Sequence, residues 1–97
     1  MVKKALYARL KAKPGKEAEV EAFLKGAVPL VNGEPDTVTW YALKEDDGHY
    51  SIFDTFHDDG GRDAHLNGKV AAALMAKADE LFSEPPQIDK IEVLANK

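Results

Sequence analysis

Val38-Thr39-Trp40-Tyr41-Ala42-Leu43, followed beyond an Asp-Gly turn by Tyr50-Ser51-Ile52-Phe53-Asp54-Thr55-Phe56, is the stretch on which the fold turns. Successive side chains of a strand point to opposite faces, so a sheet covered on one side alternates apolar and polar residues. These two runs do not alternate. Trp40 is followed by Tyr41 and Ile52 by Phe53, which puts large apolar side chains on both faces. Helices of the same chain can cover one face, and a second copy of the chain is the simplest cover for the other. A homodimer is therefore expected.

Working outward, Glu45-Asp46-Asp47-Gly48 joins the two runs as a hairpin, because Asp-Gly tolerates the positive φ of a tight turn. Upstream, residues 4–13 alternate Leu6, Ala8, Leu10 and Ala12 with Tyr7, Arg9 and Lys11, the period of a strand, and Pro14-Gly15 ends it. Ala18, Val20, Phe23, Leu24, Ala27 and Val31 then recur at helical spacing, with Glu17, Glu19, Glu21 and Lys25 mostly on the other side. Gly26 and Pro29 predict a bend near the end of that helix. Asn32-Gly33-Glu34-Pro35-Asp36 leads out as a loop to strands over residues 37–44 and 49–57. Asp58-Asp59-Gly60-Gly61 supplies an acidic N-cap for a second helix, and Asn67-Gly68 predicts a break in it. The longer piece, residues 69–82, presents Val70, Ala73, Leu74, Ala78 and Leu81 to the sheet. Pro85-Pro86 stops it before a last strand over residues 88–94. The order βαββαβ predicts one α+β domain over residues 1–97, ferredoxin-like, with a four-stranded antiparallel sheet and the helices on one face.

Composition narrows the chemistry. The chain has no cysteine, which excludes disulfides, thiolate nucleophiles, iron–sulfur clusters and cysteine-based zinc sites. Thirteen basic against 17 acidic residues leave a net charge of −4, unsuited to tracking phosphates, so no nucleic-acid partner is expected. Tyr50, Phe53 and Phe56 occupy the strand on which RNA-recognition modules display stacking rings, but Gly48 to Phe53 lacks the basic start of that motif. No long apolar run is present, and Met1-Val2-Lys3-Lys4 passes straight into a strand pattern, so a cytoplasmic location away from membranes is expected.

Three segments carry a resemblance that covers nearly the whole chain: Lys13-Pro14-Gly15-Lys16-Glu17, Phe53-Asp54-Thr55-Phe56, and Asp63-Ala64-His65-Leu66-Asn67-Gly68-Lys69-Val70-Ala71-Ala72-Ala73-Leu74. Together they resemble the antibiotic biosynthesis monooxygenase domain family. The resemblance implies that two ferredoxin-like subunits join their sheets into a dimeric α+β barrel, which is the cover required above. It also implies oxidation of a small electron-rich aromatic, quinol or anthrone-like, by molecular oxygen with no metal or other cofactor. Two departures stand out. Several members place a Pro-His pair where this chain has Gly68-Lys69, and no histidine follows His65 on the second helix, which disfavours the haem-degrading branch.

Such an oxygenase needs a base that generates a substrate anion in a dry pocket. His65 is the candidate catalytic residue, since a histidine has a useful neutral fraction near neutral pH; the plainer reading is a helix-start histidine bonded locally. Asp54, an acid inside an apolar strand, is expected to pair with a basic residue such as Arg9 or to polarise a ligand. Tyr7 and Tyr41 combine a ring with a hydroxyl suited to a phenolic substrate, and Trp40 and Phe56 offer flat surfaces, although strands favour tyrosine for packing alone and a core or dimer-interface role is the plainer reading of Trp40. Asn67 is either a donor to a substrate oxygen or simple turn chemistry. The candidate substrate contacts are thus Tyr7, Arg9, Trp40, Tyr41, Asp54, Phe56 and Asn67. The alternative function is a catalytically silent, stress-associated barrel that sequesters a small apolar ligand.

Overall fold

Leu6, Ala8 and Leu10 of the first strand are buried against helices while Arg9 and Lys11, between and beyond them, are exposed, so the alternation of the sequence is realised as one packed and one open face. The computed structural model of the chain describes residues 1–97. Its elements are β1 (Lys4–Lys11), α1 (Glu17–Gly26), α2 (Val28–Asn32), β2 (Thr37–Asp46), β3 (His49–Phe56), α3 (Asp59–Leu66), α4 (Lys69–Leu81) and β4 (Gln87–Glu92). The strands form one antiparallel sheet in the order β2-β3-β1-β4. The first helical segment joins β1 to β2 across the position that β3 then fills, and the second joins β3 to β4 across β1, the split βαβ plan of a ferredoxin-like domain. No helix is long and apolar enough to cross a membrane.

The helix breaks fall where the sequence puts them. Ala27 separates α1 from α2, with Pro29 in the first turn of α2, where its missing N–H costs nothing. Asn67 and Gly68 separate α3 from α4. Gly48 closes the β2–β3 hairpin at a φ of +81°, a conformation that a side chain would strain. The first strand is shorter than the alternation implies: Ala12 lies beyond it, donating its N–H to the Gly48 carbonyl at 2.9 Å and bridging to Phe82, which ties the end of α4 to the start of the loop after β1. The last strand begins one residue early, at Gln87, and closes at Glu92.

Register assigns the faces. Trp40 and Leu6 both lie opposite Asp54, Ala42 and Ala8 opposite Ile52, and Leu10 opposite Tyr50, and this set faces the helices. Its core joins Leu10, Tyr50 and Ile52 to Val20 and Leu24 of α1 and to Leu74 and Leu81 of α4. Tyr50 adds a polar tie, because its hydroxyl donates to Glu21 of α1 at 2.6 Å; that bond, with burial, pushes the phenol pKa up to about 12. The other face carries Tyr7, Arg9, Thr39, Tyr41, Leu43, Phe53 and Ile91, with Tyr41 54% and Leu43 41% exposed. The sheet is apolar on both sides, as its middle strands predict. Truncation of Leu10, which is 2% exposed, leaves a cavity between sheet and helices; Leu10→Ala is expected to cost about 2–5 kcal/mol in a urea unfolding titration, against less than about 0.5 kcal/mol for Lys11→Ala.

Candidate active site

The polar residues inside the packed layer converge on one point. Asp58 caps α3 by accepting a hydrogen bond from the Gly61 N–H at 2.9 Å, and this short helix lies closer to the sheet than α1 or α4 do. Its penultimate residue, His65, is 7% exposed and sits above β3. There the ring bridges two carboxylates: Nε2 is 3.0 Å from Oδ2 of Asp54, and Nδ1 is 2.6 Å from Oε1 of Glu34. Phe56, fully buried, lies against the imidazole with ring centroids 5.5 Å apart. Glu34 comes from the loop between α2 and β2 and is itself steadied by Thr37, whose hydroxyl donates to the same Oε1 at 2.9 Å.

Burial and charge oppose each other at this cluster. Desolvation disfavours a charged His65, but the hydrogen bonds and charges of Asp54 and Glu34 outweigh it, and the imidazole pKa is raised. Asp54 is shifted up as well, chiefly by its own burial and only partly relieved by His65. Asp54 and His65 therefore compete for one proton. With the proton on Nε2 the pair is carboxylate and imidazolium; with it on Oδ2 the pair is carboxylic acid and neutral imidazole. The second oxygen of Asp54, Oδ1, is buried and has no hydrogen-bond partner.

Two cavities meet at His65. An inner one of about 30 Å³ is lined by Leu6, Ile52, Leu74 and Ile88 among other apolar side chains, with Asp54 and His65 its only ionisable residues. An outer groove of about 480 Å³ runs between α2, the α2–β2 loop and the α3–α4 break, with Glu34, Asp36, His65 and Lys69 on its wall. A buried acid–base pair between a dry cavity and an open groove has the composition of a proton-transfer site.

The structure distributes the residues singled out from sequence over both faces of the sheet. His65, Asp54 and Phe56 come together, and Trp40 neighbours Asp54 across the β2–β3 pairing, its buried Nε1 without a partner. Arg9 is not the partner of Asp54. Strand alternation places it on the opposite face, where it pairs with Asp89 at 2.6 Å. Tyr7 and Tyr41 share that open face, and Tyr7 donates its hydroxyl to Glu45 at 2.7 Å. Asn67 is taken up locally, its amide donating to the Asp63 carbonyl at the end of α3. Glu34, 31 residues from His65, escaped the sequence reading because Asn32-Gly33-Glu34-Pro35-Asp36 has only the composition of a loop.

No family model and no curated protein matches the chain. Among solved structures, the NE2512 protein of unknown function from Nitrosomonas europaea superposes with a TM-score of 0.98 at 54% identity, covering 100% of this chain and 94% of that one. The chain belongs to the same family as NE2512. More distant structures share the fold of the NE2512 family. Rv0793 from Mycobacterium tuberculosis matches at 18% identity with a TM-score of 0.84, covering 97% of each chain. A Caulobacter crescentus protein provisionally assigned as an antibiotic biosynthesis monooxygenase matches at 18% identity and 0.82, covering 97% of this chain and 92% of that one. The fold is thus that of proteins carrying this assignment.

The raised His65 pKa has a consequence for stability. Between the unfolded histidine value of about 6.5 and the raised folded value, the native state binds more protons than the unfolded one. The stabilisation from His65 is complete below about pH 6.5 and is lost as pH rises through the folded value. Asp54, raised too, acts in the same direction at lower pH. Urea titrations at stepped pH are expected to show stability falling on the alkaline side of about pH 6.5, with the slope flattened in His65→Gln.

Proposed function

We propose that this chain is a cofactor-independent monooxygenase of small electron-rich aromatics, working as a homodimer in the cytoplasm, with the Asp54–His65 pair as its base. The observation that carries the proposal is the orphaned Oδ1 of Asp54. A carboxylate oxygen buried without a donor is costly, and a ligand hydroxyl or acidic C–H aimed at it from the inner cavity relieves that cost. Burial raises the basicity of Asp54, while the Nε2–H of His65 continues to hold Oδ2.

For an anthrone-like substrate the steps balance as follows. Asp54 Oδ1 takes a proton from the activated CH2 group, leaving a delocalised carbanion. The carbanion supplies the electrons that reduce molecular oxygen, and a carbon–oxygen bond forms. Asp54 returns its proton to the outer peroxide oxygen. The O–O bond then breaks as the carbon loses its second hydrogen, so that one oxygen stays as a carbonyl and the other leaves as water with the two hydrogens the carbon gave up. Apolar walls favour the step by excluding water from the anion.

The provisional monooxygenase assignment of structures with this fold supports the reading. A second reading, a silent barrel binding a small apolar ligand, draws support from the tightness of the inner cavity. Its volume of about 30 Å³ is far below the roughly 300–1,000 Å³ of ordinary ligand sites, so an aromatic ring enters only if α4 and Leu66 move outward. Oxygen uptake over a panel of reduced quinones and anthrones separates the two. Uptake above the uncatalysed rate that falls about 10²–10⁴-fold in both Asp54→Asn and His65→Ala supports the oxygenase, whereas uptake at background throughout removes it.

The homodimer is proposed on the open face, where Tyr41, Leu43, Phe53 and Ile91 form an apolar sheet surface that helices of the same chain leave uncovered. Two such faces packed together give the barrel. Sedimentation velocity at micromolar concentration is expected to report twice the chain mass for the native protein and a shift to the monomer in Leu43→Glu, because a charge would then be buried in the seam.

A further inference from the structure

The helix break between α3 and α4 is built around a contact that the proposed base does not explain. Gly68 has a φ of −92° and a ψ of −174°, a conformation open to any residue, so backbone freedom is not the reason for glycine there. Space is the reason. A Cβ at Gly68 would lie 3.0 Å from Oε2 of Glu34, 3.2 Å from the Ala64 carbonyl oxygen and 3.3 Å from that of His65, tight enough that the carboxylate would have to give way by a few tenths of an ångström. The missing side chain lets the carboxylate of Glu34 settle over the break and reach His65 Nδ1 at 2.6 Å. Thr37 donates to the same Oε1 that faces His65, while Oε2 lies over Gly68. Two features, the Thr37 hydroxyl and a helix break made at a glycine, thus converge on placing one acid.

We infer that Glu34 is a positioning residue of the proposed site, holding His65 through Nδ1 so that the opposite ring nitrogen shares a single proton with Asp54. The inference rests on the oxygenase reading for its role in turnover, but the arrangement of the proton does not. A hydrogen bond from Nδ1–H to a fixed carboxylate sets both the tautomer and the ring plane, and the negative charge of Glu34 makes Nε2 more basic. The proton between Nε2 and Asp54 Oδ2 then moves without change in the net charge of the cluster, which stays at −1 in either location. Glu34 also lines the outer groove, so His65 contacts solvent-accessible acid on one side and the dry cavity on the other.

The other charges around the ring do not take over this task. Arg62, one turn earlier on α3, is committed to the carbonyls of Ala5 and Ile91 and to Asp59. Asp36 and Lys69 line the groove and make no ion pair. Asp54 is the acid on the β3 side.

The test is a pH titration of the ¹⁵N-histidine-labelled full chain by NMR, following both His65 nitrogens in the native protein, Glu34→Gln, Glu34→Asp and Gly68→Ala. In the native protein Nδ1 is expected to remain protonated throughout. In Glu34→Gln the proton affinity of His65 is expected to fall about tenfold or more, and Glu34→Asp should recover part of it. Gly68→Ala, which crowds the carboxylate while keeping its charge in the chain, should shift the titration in the same direction by less and guards against misfolding of the first variant. Oxygen uptake should show a lowered kcat and a displaced pH profile in Glu34→Gln, with KM unchanged. A His65 titration indifferent to both Glu34→Gln and Gly68→Ala overturns the inference even if the protein proves to be an oxygenase. Absent oxygen uptake with the titration shift present removes the oxygenase and leaves the proton assignment standing.

Discussion

Asp54 is a carboxylate in the middle of an apolar strand, with a side chain 2% exposed, and the layer above it is arranged to supply a cation. A lone charge there would be driven to neutralise; His65 lets it remain a hydrogen-bonded partner instead. The imidazole comes within 3.0 Å of the Asp54 carboxylate from α3, which runs close to the sheet and ends one residue after His65, before α4 begins at Lys69. The Asp58 cap fixes the start of α3, and the α2–β2 loop brings Glu34 to the other side of the ring.

The same constraint shapes the chemistry. Because His65 is clamped between two acids, it is not a free neutral base, and the proton that a substrate gives up is proposed to go to the unpartnered oxygen of Asp54. Histidine supplies the compensating charge. The cluster also lies between a small apolar cavity and a wider groove, with His65 on the wall of both and Glu34 on the groove side. The single proton shared between Asp54 and His65 thus links the energetics of the fold to the proposed reaction.

Much of this was legible along the chain. Alternation in β1, the Asp47-Gly48 turn, the Asp58 cap and the Asn67-Gly68 break each depend on a few neighbouring residues, and each has a local physical cause. His65 and Asp54 were also visible, one by its place at a helix end and the other as an acid where apolar residues belong. Their pairing was not. Choosing between Arg9 and His65 as the partner of Asp54 requires knowing that β1 and β3 are adjacent and in which register, and that Arg9 then points away. Glu34 was hidden for a similar reason, since a glutamate between Gly33 and Pro35 has nothing local to distinguish it from any solvated loop acid.

What the sequence determined by itself is the order of elements and the apolar character of both sheet faces, because side-chain periodicity and turn chemistry act over only a handful of residues. Tertiary structure alone decided that residues 34, 54 and 65 form one hydrogen-bonded cluster, and that Gly68 is there for closeness rather than for a turn. The physical reason is distance along the chain. A proton shared between side chains depends on separations of about 3 Å, and those are set by strand register and helix placement rather than by any stretch of neighbouring residues.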